Sequence, residues 1–168
     1  MNPRYKIGIG MLACVALGAL GSGMIASTAR SQEAPPPSDQ AKRIEALVNR
    51  AAALVNQRGR AAFDEFRKRD SEWWFGNTYL FAYDDHLNVL LNPAFPKREG
   101  TNPHGEKDAN GKMFHDEFLK TVQTKGGGWV DYMFPKPGQT QPSHKWSYVK
   151  GFKSDGLTGV IGAGFFPD

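Results

Sequence analysis

Apolar residues recur at three- and four-residue spacing from Asp39 to about Arg69, at Ile44, Leu47, Val48, Ala51, Leu54, Val55, Phe63 and Phe66. That spacing builds one apolar face of an α-helix, with Ser38 or Asp39 as its cap and Gly59 as a kink or break. Lys42, Arg43, Glu45, Arg50, Arg58 and Arg60 fall on the opposite, solvated face. Beyond "RDSEWWFGN" the period shortens to two. "TYLFAYDDHLNVLLN" predicts strands over Thr78–Tyr83 and Leu87–Asn92 joined by a tight turn. Pro93 and "AFPKREGTNPHGEKDANG" interrupt regular structure. Met113, Phe114, Phe118, Leu119 and Val122 predict a second helix over Lys112–Thr124, ended by Gly126–Gly128. Three more strands follow, over Trp129–Phe134, His144–Lys150 and Leu157–Phe166. The order of long helix, two strands, loop, short helix and three strands predicts an α+β fold with a mainly antiparallel, five-stranded sheet.

The N-terminus has a different pattern. Arg4 and Lys6 precede an apolar run from Ile7 to about Ile25 and then small residues, the layout of a secretory signal over residues 1–31. Ala26, Ala29 and Ser31 are the candidate last residues removed. The run also approaches the length of a spanning helix, so an uncleaved membrane anchor is the alternative. A proline-rich linker, "EAPPPSDQ", occupies residues 32–40, and residues 41–168 form one globular unit.

Removal of the signal changes the charge argument. It takes Arg4, Lys6 and Arg30 from the 21 basic residues, leaving 18 against 17 acidic ones. The near-neutral remainder gives nucleic acid no electrostatic case as a partner. Cys14, the one cysteine, goes with the signal, so no disulfide, thiolate nucleophile or cysteine-ligated metal is expected.

Catalytic signatures are absent: there is no G-x-S-x-G elbow, H-E-x-x-H, P-loop or G-x-G-x-x-G. His86, His104, His115 and His144 lack ligand-like spacing and read as surface or turn residues. No cofactor, metal or catalytic residue is therefore assigned. "EKDANGKMFHDE" supports two readings. As a calcium loop it presents Glu106, Asp108, Asn110, Gly111 and Glu117 at ligand-like positions; as a D-x-N-G turn it caps the following helix.

The segment "GGGWVDYMFPKPGQTQPSHKWSYVK" carries the sharpest signal. Strand alternation puts Val130, Tyr132 and Phe134 on one face and Trp129, Asp131 and Met133 on the other; Lys145, Ser147 and Val149 likewise share a face. If Tyr132 and Lys145 face one cavity, a phenol and an ammonium in an apolar wall would recognise a small carboxylate. The same letters also describe a half-exposed lysine beside core aromatics. Trp73 and Trp74 either line such a cavity or pin the helix to the sheet.

"YLFAYDDHLNVLLNP", "KDANGKMF", "GGGWVDYMFPKP", "KWSYVK" and "GVIGAGFF" resemble, in the same order, the single Cache domain, a PAS-like extracytoplasmic sensor family of bacteria. The resemblance runs from about Ala41 to the end. It implies a long N-terminal helix on a curved antiparallel sheet and a periplasmic domain that binds a small organic acid between sheet and loop region, without catalysis. Trp129, Tyr132 and Lys145 match its motif positions as ligand-binding residues, and Tyr79, Met113 and Phe114 are implied near the pocket. Two departures stand out: Asn92 replaces a histidine frequent in the family, and the sequence ends at Asp168 without a signalling module. The resemblance thus implies a binding protein that presents its ligand state to a membrane-bound signalling partner. The alternatives are a ligand-free docking subunit and a calcium-binding protein using residues 106–117.

Overall fold

The computed structural model describes residues 33–154 and 156–167, so the segment read as a secretory signal lies outside the described residues. Helix α1 spans Asp39–Arg58. The Ser38 hydroxyl accepts from Ala41 N at 3.0 Å, and Asp39 places a negative charge in the first turn. Ile44, Leu47, Val48, Ala51, Ala52 and Val55 are buried along one side, as the three- and four-residue spacing requires. The helix does not continue to Arg69. Gly59 adopts φ +57°, a conformation costly for other residues, and the chain proceeds through a 3-10 turn, Gly59–Ala62, into a short α2, Phe63–Phe66.

The sheet has six strands rather than five: β1 Trp74–Phe75, β2 Thr78–Asp84, β3 Val89–Leu91, β4 Gly127–Pro135, β5 Pro142–Ser154 and β6 Leu157–Phe165. Two-residue β1 is too short to show a period. The order is β1-β2-β6-β5-β4, with β3 also paired to β2, and every pairing is antiparallel. Helix α3, Phe114–Lys125, lies between β3 and β4 in sequence and ends at Gly126 in the left-handed conformation.

Strand alternation gives the sheet two differently covered faces. Helix α1 covers Leu80, Ala82, Trp146, Phe152, Ile161, Ala163 and Phe165. On the other face α3 covers a second core of Tyr79, Phe81, Tyr83, Val130, Tyr132, Val149 and Val160, joined by Phe114 and Phe118. Phe118 is fully buried, and its truncation to alanine would cost about 3–5 kcal/mol. Among the described residues, no helix is long and apolar enough to cross a membrane.

Candidate functional site

Lys145 sits near the start of β5 with its side chain on the α3 face, directly opposite Tyr132 of β4. It is 1% exposed, which excludes the half-exposed reading. Its Nζ lies 3.3 Å from the Tyr79 hydroxyl. Aromatic rings surround it, with centroids at 4.4 Å for Tyr79, 5.2 Å for Phe166, 5.5 Å for Phe134, 5.7 Å for Phe81 and 6.0 Å for Tyr132. Ring faces attract a cation but do not replace a counter-ion. Among the described residues no carboxylate comes within ion-pairing distance of this ammonium. Burial accordingly pulls its pKa down from 10.5 to about 7.

Close approach of the backbone makes this burial possible. A Cβ at Gly164 of β6 would stand 2.2 Å from Ser147 Oγ and 2.8 Å from Lys145 Cε. The glycine therefore opens the floor on which the lysine stem lies.

Tyr132 shares the face with Lys145, but the phenol that meets the ammonium is that of Tyr79. The Tyr132 hydroxyl instead hydrogen-bonds Ser147 Oγ at 2.9 Å, while its ring stacks on Phe114 at 4.2 Å. Burial raises the pKa of both Tyr79 and Tyr132, so each phenol keeps its proton and can donate. Phe114 forms a second layer behind Tyr132. Trp129 belongs to the opposite face, against Tyr148 and Phe165, because odd and even positions of β4 point apart. Met113 precedes α3, is 47% exposed and lines a shallow surface cleft with Glu117 and Lys120, away from Lys145.

The two tryptophans divide between the faces. Trp73 packs on Phe66, centroids 4.9 Å apart, in the α1 core. Trp74 pairs in register with Tyr79 and joins the α3-face core, where its Nε1–H is buried without a partner among the described residues.

Several site residues escape the sequence reading. Phe81, Phe134, Ser147 and Phe166 all have the right strand parity without having been assigned to the site; Phe166 ends the expected last strand and lies one residue past the observed β6. Phe166 also lines a cleft of about 280 Å³ with Phe75, Asn77, Thr78 and Lys136; the Lys136 ammonium is 5.6 Å from its ring. Arg98 and His115 form another polar group on this face. Arg98 donates to Glu106 at 2.6 Å and lies 3.3 Å from His115 Nε2. His115 is buried rather than superficial; burial first, and the Arg98 charge second, lower its pKa to about 4.

The 106–117 loop uses its acids as structural acceptors. Asp108 Oδ1 accepts from Asn110 N and Lys112 N, both at 2.9 Å, and its Oδ2 accepts from Met133 N on β4 at 2.8 Å. The Lys112 ammonium bridges Glu117 and Asp131 at 3.2 and 2.8 Å. The protein's own cation and backbone donors thus occupy Glu117 and Asp108, which a calcium reading requires. The turn forms, but it does not cap the following helix, because α3 starts at Phe114 without a side-chain cap and Asp108 instead ties the loop to β4. A separate exposed cluster, Asp84, Asp85 and His86, is organised as a turn in which Asp84 accepts from His86 N and Asn88 N.

A family model described as "Single Cache domain 2" matches residues 39–167. A curated relative, the methyl-accepting chemotaxis protein McpP of Pseudomonas putida, is 30% identical over 90 residues. That alignment covers 54% of the chain but only 16% of the relative, a small part of a much longer protein. Among solved structures, a periplasmic sensor domain of a chemotaxis protein is 33% identical with TM-score 0.65, the match covering 77% of this chain and 95% of that one. A second, from work titled as the structural basis for carboxylic acid recognition by a Cache chemosensory domain, is 26% identical with TM-score 0.66, covering 76% and 92%. A methyl-accepting chemotaxis protein from Vibrio parahaemolyticus shares the fold at 21% identity and TM-score 0.62, covering 76% and 88%.

Proposed function

Because the chain belongs to the single Cache domain 2 family, we propose that it is an extracytoplasmic sensory domain that binds a small organic acid on the α3 face of its sheet, without catalysis. The ligand carboxylate meets the Lys145 ammonium, Tyr79 donates a second hydrogen bond, and the surrounding aromatic rings exclude water. The observation that carries this reading is a fully buried ammonium with one long hydrogen bond and no carboxylate partner among the described residues. A charge in that position costs stability until an anion arrives, and a bound carboxylate gains a charge-assisted bond strengthened by the dry surroundings. The solved relative titled for carboxylic acid recognition supports the same ligand class.

Residues 1–31 act in this reading as the export signal, and residues 41–168 as the sensing unit. Relatives built into chemotaxis receptors support a membrane-bound signalling partner that reads the ligand state. The test is calorimetric titration of the protein with short-chain monocarboxylates, repeated on Lys145→Met. Saturable binding that disappears in the variant supports the assignment. No binding of any acid, together with stable capture of a membrane receptor, would replace it with the docking-subunit reading.

A further inference from the structure

Lys145 is not the sole buried cationic or polar group on the α3 face with donors left unmatched among the described residues. The Arg98 guanidinium lies 3.3 Å from His115 Nε2 and can only donate, so Nε2 accepts and the imidazole proton resides on Nδ1. That Nδ1–H is buried without a partner among the described residues, and so is the Arg98 Nε–H. His115 itself is 1% exposed. Native interiors rarely leave two such donors unmatched on touching side chains, and a ligand acceptor is one standard remedy.

The charge at this second group differs from that at Lys145. Arg98 is already paired with Glu106, and His115, faced by Arg98, Glu106, Asp116 and the Tyr83 ring, is held neutral at pH 7 mainly by its burial. What remains on offer is a pair of N–H donors with little free charge. Lys145 offers the reverse, a full charge with no counter-ion. The two are linked through the phenols: Tyr79 touches Lys145, and the Arg98 charge acts on both Tyr79 and Tyr83. A second carboxylate near Arg98 would meet the negative charge of Glu106, whereas a hydroxyl or carbonyl oxygen would not.

We propose that Arg98 and His115 form a second station of the same binding face that reads an uncharged oxygen, so that the ligand is a small acid bearing a hydroxyl or carbonyl beyond its carboxylate. It rests on the carboxylate-binding reading of Lys145 and adds a specificity that Lys145 alone cannot supply. Sites built to hydrogen-bond a ligand oxygen reject the analogue that lacks it, because their own donors are then left unmatched.

Matched acids test this by calorimetry on the full chain: butyrate against 3-hydroxybutyrate, pentanoate against 4-oxopentanoate, and succinate as the dicarboxylate. At least one oxygen-bearing acid should bind about tenfold or more tightly than both its parent and succinate. In Arg98→Lys, which keeps the charge facing Glu106 but loses the guanidinium fork, that advantage should shrink to within about threefold. His115→Phe should shrink it similarly; this variant keeps a ring against Phe114, removes the unmatched donor and should melt no lower than the parent protein. Parent acids or succinate binding as tightly as the oxygen-bearing ones, or an advantage retained in both variants, overturns the station. If acids bind through Lys145 without that preference, only the station falls. If no acid binds at all, the reading of Lys145 falls with it.

Discussion

The Lys145 ammonium and the Tyr79 hydroxyl stand 3.3 Å apart on strands that are not neighbours, β5 and β2, with β6 between them. Two side chains meet across an intervening strand only where that strand is low, and β6 presents Gly162 and Gly164 on this face. The contact therefore reports a hollow in the sheet surface. A cation placed there is separated from water by rings and, among the described residues, has no carboxylate within ion-pairing distance.

Lys145→Met should abolish binding of short-chain acids and at the same time stabilise the ligand-free protein. Methionine has a comparable length and no charge to desolvate; replacing a buried ionic group with a packed apolar one commonly gains about 1–4 kcal/mol. Chemical denaturation at pH 6, where the native lysine is charged, checks the stability half, and titration calorimetry the binding half. A loss of stability would mean that the ammonium has a structural partner and would remove the reason to assign it a ligand.

Acid affinity and ligand-free stability should respond to pH in opposite directions. The folded lysine titrates near 7, below its ordinary 10.5, so between these values the unfolded chain binds the additional proton and ligand-free stability rises with pH. Below about 7 the burial penalty is complete. A carboxylate, in contrast, binds the ammonium form, so its affinity should be greatest below pH 7 and weaken above it by up to about tenfold per unit. Titrations in buffers of different ionisation enthalpy should show proton uptake on binding at pH 8. Affinity independent of pH from 6 to 9 would rule out Lys145 as the anchor.

Strand parity makes much of this site legible before any coordinates. Tyr132 and Lys145 fall opposite one another because β4 and β5 pair without a bulge, so a period of two read on each strand survives into three dimensions. The same parity separates Trp129 from Tyr132. Trp129 entered the expected site through family resemblance, and alternation alone places it with α1. Parity cannot report which strands become neighbours across the sheet, so Tyr79 as the phenol at Lys145 is invisible to it. Phe166 ends the expected last strand with the right parity, but its nearness to Lys145, like that of Tyr79, depends on which strands become neighbours; Arg98 lies in an irregular loop whose position no local pattern encodes. His115 escapes for another reason: it is buried in the first turn of α3, a position that a polar residue usually leaves to water.

The acid limb of the stability curve should contain a separable contribution from His115. Its folded pKa of about 4 lies below the ordinary 6.5, so the neutral native imidazole favours folding above 6.5, and that contribution is lost as pH falls from 6.5 to 4. Glu99, Glu106 and Asp131 are also held below their ordinary values by hydrogen-bonded basic partners and lose their contributions on acidification. The difference between the stability curves of the parent and His115→Phe isolates the histidine. It should change across pH 4–6.5 and remain flat between 7 and 9; a flat difference throughout would mean that His115 is accessible to water.

Asp108→Ala should destabilise the protein by about 1–3 kcal/mol, since Asn110 N, Lys112 N and Met133 N lose one acceptor group together. Because the carboxylate ties the loop to edge strand β4, the cost should be the same in millimolar calcium and in excess chelator. Thermal denaturation under both conditions measures it. A melting temperature that rises with calcium in the parent protein and not in the variant would restore a metal role for this loop.

Gly164→Ala tests the hollow without removing any polar group of the site, although the Ser147 hydroxyl, 2.2 Å from the added methyl, must turn away. The added methyl would stand 2.4 Å from the Trp146 carbonyl oxygen and 2.8 Å from Lys145 Cε. A backbone carbonyl cannot yield as a flexible side chain can, so either β5 and β6 separate locally or the lysine stem lifts from the floor. Overpacking of this kind costs about 1–3 kcal/mol. If the stem lifts, the ammonium moves from Tyr79 and acid affinity should fall about tenfold or more, as expected for a charge-assisted bond stretched out of range. Chemical denaturation and calorimetry on the same sample separate the two effects. Reduced stability with undiminished affinity would show that Lys145 is held by something other than the close approach of β6.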